Sequence, residues 1–89
     1  MATLHLIIKG KVQGVFYRAW AKEAAEQLGL TGWVKNTDEG NVEALVSGPD
    51  ERVQQFTDAC RQGPSRAQVT AIESQPVPDQ AFACFQVIR

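Results

Sequence analysis

Leu4-His5-Leu6-Ile7-Ile8-Lys9-Gly10-Lys11-Val12-Gln13-Gly14-Val15-Phe16-Tyr17-Arg18 is the stretch on which the fold turns. An apolar run, Leu4 to Ile8, leads into two glycines, an arginine and then an alanine-rich segment. The apolar run reads as a strand and the alanine-rich segment as a helix. Glycines between them let the backbone turn sharply and leave no Cβ to hold a ligand away. A loop ending at a helix N-terminus gathers unpaired N–H groups and the positive end of the helix dipole. Such a loop is a preformed anion cradle. Arg18, at the helix mouth, adds a planar fork of donors suited to phosphate. The working hypothesis is a phosphoryl site made from backbone N–H groups and one arginine. Two glycines also serve tight strand–helix turns that bind nothing, and the pattern alone leaves that alternative open. No Gly-Lys-Ser/Thr closes the stretch, so it is not a P-loop, and G-x-G-x-x-G is absent.

Working outward, Thr3 to Ile8 is expected as a strand bounded by Gly10. A helix is expected from Arg18 or Ala19 to Leu28, with Gly29 as its C′ stop. Tyr17, Ala21, Ala24, Ala25 and Leu28 recur at three- and four-residue spacing and make a core-facing stripe. Gly32 to Thr37 reads as the next strand, followed by the turn cluster Asp38-Glu39-Gly40-Asn41. Val42 to Ser47 returns as the second arm of a hairpin, with Val42, Ala44 and Val46 on one face. Gly48-Pro49-Asp50 opens a second helix running to about Arg61, with Asp50 as its expected cap and Gly63-Pro64 as its stop. Val53, Phe56 and Cys60 are its inward positions. Ala67 to Glu73 reads as a strand broken by Pro76 and Pro78. Phe82 to Ile88 is a final strand that either pairs with its predecessor or extends the sheet. The order β-α-β-β-α-β places both helices on one face of one sheet. The expected fold is a two-layer α+β sandwich of ferredoxin-like type, with a mainly antiparallel sheet of four to five strands.

The 89 residues of the chain make one domain, residues 1–89, of ordinary apolar content. The formal net charge of −1 predicts no strongly basic surface. That argues against a nucleic-acid partner held by counterion release. No apolar run reaches the roughly 20 residues of a membrane span. The N-terminus lacks a charged n-region with a long apolar run behind it, so no secretory signal is expected. Cys60 and Cys84 form no CxxC pair, and His5 is the sole histidine. Two reduced thiols in a cytoplasmic protein, with no metal and no cofactor, are the expectation.

The second informative stretch is Gly32-Trp33-Val34-Lys35-Asn36-Thr37-Asp38-Glu39-Gly40-Asn41-Val42, with Gly48 beyond. Asn36 is a poor strand former near a strand end. One reading is turn chemistry, since asparagine there often bonds its own backbone. The other points its carboxamide at the cradle, accepting from a water and donating to a phosphoryl oxygen. Spacing leaves both open. Trp20, Trp33 and Cys60 read as packing groups. Lys9, Lys11 and Lys35 read as a solvated rim that also draws anions inward.

Both stretches, in this order and at this spacing, resemble the signatures of the acylphosphatase family. The resemblance extends over nearly the whole chain. One departure is Tyr17, where the family usually carries phenylalanine or methionine; its hydroxyl then needs a partner or solvent. The resemblance implies metal-free hydrolysis of acyl phosphates, which are mixed carboxylic–phosphoric anhydrides, with no covalent enzyme intermediate. It implies Arg18 holding the phosphoryl group and Asn36 orienting the attacking water. It also implies a backbone cradle from Gln13 through Gly14, Val15, Phe16 and Tyr17 to Arg18. Inorganic phosphate or sulfate would compete as small anions, and a monomer is expected. The rival is a non-catalytic module on the same fold that binds an anion, RNA or protein. An RNA-binding version asks for exposed aromatics on the central strands and a basic face. The first strand here offers aliphatics, and both Arg18 and Asn36 are present.

Overall fold

Alternating burial along β1 (Ala2–Lys11) sends Leu6 and Ile8 into the core while His5 and Ile7 face the other way. The same alternation buries Val34 of β2 (Thr31–Asn36) and Val42, Ala44 and Val46 of β3 (Val42–Gly48). Strand residues two apart share a face, so one side of the sheet is continuously apolar. The computed structural model describes residues 1–89.

Two helices cover that side. In α1 (Tyr17–Gln27), Tyr17, Ala21 and Ala25 are buried, with Ala24 and Leu28 packed at their margin. In α2 (Asp50–Cys60), Val53, Phe56, Thr57 and Cys60 point inward. Helix α1 packs mainly on β2 and β5 (Phe85–Ile88), and α2 on β1 and β3. Phe56 meets Phe85 at 5.9 Å between ring centroids, joining the second helix to the last strand.

The sheet order is β4-β1-β3-β2-β5, with β4 spanning Gln68–Pro76. All neighbours are antiparallel except β2 and β5. The expected two-layer α+β sandwich is therefore present, with five strands and both helices on one face.

Several local expectations are settled or revised. Of the two courses open to the last strand, β5 takes the one that extends the sheet: it adds in parallel to β2 at the opposite edge from β4, with Gly32 aligned to Phe85. The connection crosses the end of the sheet, where the Val77 N–H donates to the Thr3 carbonyl and the Thr3 hydroxyl reaches Asp79. This connection takes up Phe82 to Cys84, so β5 is shorter than expected. Strand β4 runs on to Pro76, which an edge position tolerates. Asp50 lies inside the first turn of α2 rather than capping it, and pairs with the Met1 amino group at 3.3 Å. Pro49 holds the cap position. Gly10 does not end β1. It sits inside the strand at a bulge opposite β4, with φ 125°, and a Cβ there would run into the Gln68 carbonyl. Its missing side chain makes room for a neighbouring strand, not for a ligand.

Candidate active site

Between β1 and α1 the chain turns through Val12 to Phe16 without regular structure. Gly14 takes φ 75°, with open space where a Cβ would stand. Phe16 follows at φ 63°, ψ 25°, the one non-glycine residue with positive φ, and it occupies the N-cap of α1. These two left-handed residues wrap the backbone around the helix mouth. Outside the regular elements, no backbone hydrogen bond is donated by Gln13, Gly14, Val15 or Phe16. Tyr17 and Arg18 open the helix, where no earlier helical carbonyl lies within reach of their N–H groups. The first bond of that turn runs from the Trp20 N–H to the Phe16 carbonyl at 3.0 Å. No side chain caps this end, and no acidic residue occupies its first turn. Helix α2 differs, since Asp50 and Glu51 sit in its first turn. The positive end of α1 is thus the one left unneutralised by the protein's own carboxylates.

The loop is held from outside. The Gln13 carboxamide donates to the carbonyls of Thr37 and Asn41, each at 2.8 Å. That double bond ties the cradle to the β2–β3 turn, although β3 separates β1 from β2. The turn itself is closed by Thr37 and Asn41: the Thr37 N–H donates to the Asn41 carbonyl at 2.9 Å, and the Asn41 N–H to the Thr37 hydroxyl at 3.1 Å. Local turn chemistry thus belongs to these two residues. Asn36 is left exposed, with its side chain on the wall of the cleft. It shares a face with Val34, so it lies on the helix side of the sheet, where α1 and Arg18 are. Arg18, Asn36, Gly14, Phe16 and Tyr17 all line one open cleft.

Arg18 is itself positioned. One guanidinium nitrogen donates to the Ile88 carbonyl at 3.1 Å, at the end of β5. A guanidinium carries five N–H donors, so the remainder can face an anion. Of the flanking lysines, Lys35 turns its ammonium to Glu43 at 3.7 Å and over the Trp33 ring, on the sheet face away from Asn36, and Lys9 is engaged with Glu73 at 3.1 Å. Neither the Ile88 carbonyl nor the Gln13 clamp was visible in the sequence. Gln13, a polar residue placed between a strand and a glycine, was the one local signal.

Tyr17 fixes the start of α1 from below. Its ring is buried against Trp20 at 5.3 Å, and its hydroxyl donates to the Cys60 carbonyl at 2.6 Å. The usual donor to that carbonyl would be the N–H four residues on. That residue is Pro64, which has none. The phenol supplies the missing donor and links the start of one helix to the end of the other. Burial pushes the Tyr17 phenol above its ordinary range and the Cys60 thiol up to about 12. Both are therefore neutral core groups, and neither is poised for chemistry. Tyr17→Phe would leave a buried carbonyl without a partner, which costs about 1–2 kcal/mol. The expected result in urea unfolding is a lower midpoint with an unchanged slope; an unchanged midpoint would show that the carbonyl finds another donor.

No three of the His, Cys, Asp and Glu side chains come together as a metal-binding group. A neutral, rigid backbone concavity with one fixed guanidinium beside it suits a small tetrahedral anion. In class, then, this is an anion-handling α+β sandwich of the kind suited to phosphoryl chemistry. Comparison with known proteins narrows the class. The acylphosphatase family model matches residues 4–87. An acylphosphatase from Rhodospirillum rubrum is 51% identical over 82 residues, covering 90% of each chain. One from Azorhizobium caulinodans is 55% identical over 71 residues, which is 80% of this chain and 76% of that one. The crystal structure of acylphosphatase from Bacillus subtilis superposes with a TM-score of 0.96 at 33% identity, covering both chains completely. The chain belongs to the acylphosphatase family and is an enzyme of that family.

Proposed function

We propose that this chain hydrolyses acyl phosphates to a carboxylate and inorganic phosphate, with Arg18 and Asn36 as its catalytic residues. The phosphoryl group rests on the N–H groups from Gln13 to Arg18, and the Arg18 fork binds its oxygens. Asn36 holds a water on the far side of the phosphorus from the acyl group. The water oxygen attacks phosphorus and the bond to the bridging oxygen breaks. The carboxylate leaves with that electron pair, and the water proton passes to a phosphoryl oxygen. Such a transfer asks chiefly for positioning and charge stabilisation. The anhydride supplies a good leaving group, so no strong base is required. The observation that carries this reading is the set of unpartnered N–H groups around the start of α1, of which Gly14, Phe16, Tyr17 and Arg18 line one cleft with Asn36, while Gln13 and Val15 do not line it. We read the enzyme as a cytoplasmic monomer acting on a small molecule, with phosphate and sulfate as competitors. Its cysteines are both free thiols, in keeping with a reducing compartment. No helix is long and apolar enough to cross a membrane.

Release of phosphate from benzoyl phosphate, with and without EDTA, tests the proposal. The expected result is turnover unaffected by chelation and inhibited competitively by inorganic phosphate. Loss of rate with EDTA would reject the metal-free route. No rate above the uncatalysed background would leave an anion-binding module instead.

A further inference from the structure

Phe16 is 76% exposed and Ile88 39% exposed. Both line the cleft that holds Arg18 and Asn36. The other large exposed hydrophobic, Met1, belongs to a different depression beside Gly48 and Phe82. Nothing local accounts for an aromatic ring at position 16. The residue is an N-cap whose side chain makes no capping bond, at φ 63°. Serine, aspartate, asparagine or glycine would serve that position better. A bulky side chain in the left-handed region carries a conformational cost that burial usually offsets. Here the ring is not buried. Ile88 meets the site through its backbone, its carbonyl holding Arg18 at 3.1 Å; its side chain, aligned with Lys35 and next to the inward Val87, is on the opposite face of the sheet.

We propose that Phe16 is a specificity-determining residue for the acyl group, its exposed ring favouring aryl and other apolar acyl phosphates. This rests on the acyl phosphate reading above. In such a substrate the acyl substituent begins one carbon beyond the bridging oxygen. It therefore emerges at the mouth of the cradle, and the N-cap residue of α1 stands at that mouth. A phenyl group placed there removes apolar surface of both partners from water. Farther along α1 the cleft is charged, with Lys22, Glu23 and Glu26 on its wall.

The test compares kcat/KM for benzoyl phosphate and acetyl phosphate in the wild type, Phe16→Ala, Phe16→Leu and Ile88→Ala, with inhibition by inorganic phosphate measured alongside. An aromatic contact of the usual strength predicts that the benzoyl-to-acetyl ratio falls about threefold to tenfold in Phe16→Ala. A smaller fall is expected in Phe16→Leu, and an unchanged ratio in Ile88→Ala, whose side chain is on the far face of the sheet. A ratio unchanged in both Phe16 variants overturns the inference, because the ring would then not touch the acyl group. Parallel losses on both substrates with weakened phosphate inhibition overturn it as well, by placing Phe16 in the backbone cradle alone. If the wild type hydrolyses neither substrate, the acyl phosphate reading itself fails. If it hydrolyses both with ratios insensitive to the Phe16 variants, only the present inference fails.

Discussion

Arg18→Ala lowers kcat/KM for benzoyl phosphate by about 10²–10³ or more, the usual cost of removing a preorganised charge-stabilising donor. The guanidinium is the one side-chain cation fixed at the mouth of α1. It is anchored through the Ile88 carbonyl, so little ordering remains to be done when substrate arrives. Backbone N–H groups alone hold an anion through partial charges. They do not match a full cation as charge moves onto the leaving carboxylate. Arg18→Lys keeps the charge but loses the fork. One lysine nitrogen cannot serve both the Ile88 carbonyl and two phosphoryl oxygens in fixed directions. The lysine variant is therefore expected to stay within about tenfold of the alanine variant, on the reasoning that bidentate geometry rather than charge is lost. Wild-type turnover in Arg18→Lys would show that a point charge suffices and would end the bidentate account.

The parts of this site legible in the sequence were those carried by short-range pattern. A strand, a glycine-bearing bend and an alanine-rich helix follow one another within the first signature, and local propensity suffices to order them. The hairpin around Gly40 was legible for the same reason. What the sequence hid was settled by residues distant along the chain. Gly10 looked like a hinge of the loop, yet its missing Cβ makes room for β4, whose position depends on everything after α2. Asp50 had the chemistry of a cap, but the helix begins one residue earlier and the Met1 amino group takes its carboxylate. The last strand offered two pairings with equal alternation. The choice fell to β2, where Phe85 reaches Phe56 beneath the sheet. Tyr17 posed a question that sequence could raise but not answer. The answer lies in Pro64, which leaves the Cys60 carbonyl without its helical donor. Gln13 was assigned to the cradle for its backbone, whereas its side chain proves to clamp the cradle to the turn after Asn36. That clamp ties the loop after β1 to the turn after β2, although β1 and β2 do not pair.

Asn36→Ala is expected to lower kcat by about 10²–10³ while leaving the inhibition constant for inorganic phosphate within a few-fold, since positioning of a water is lost and the anion cradle is not. The expectation follows from where the carboxamide sits. It lies at the end of β2, on the helix side of the sheet, and the adjoining turn is closed without it by Thr37 and Asn41. Its removal therefore need not disturb the hairpin or the Gln13 clamp, whose acceptors are the carbonyls of Thr37 and Asn41. A carboxamide has an acceptor oxygen for a water proton and donor N–H groups for a phosphoryl oxygen, so it can fix the angle between nucleophile and phosphorus. Asn36→Asp keeps the shape and the acceptor but places a negative charge beside a dianionic group. That variant should lose phosphate affinity as well as turnover, and the contrast between the two variants separates orientation from electrostatics. Equal losses in kcat and in phosphate binding for the alanine variant would remove Asn36 from the water and make it one more phosphate ligand.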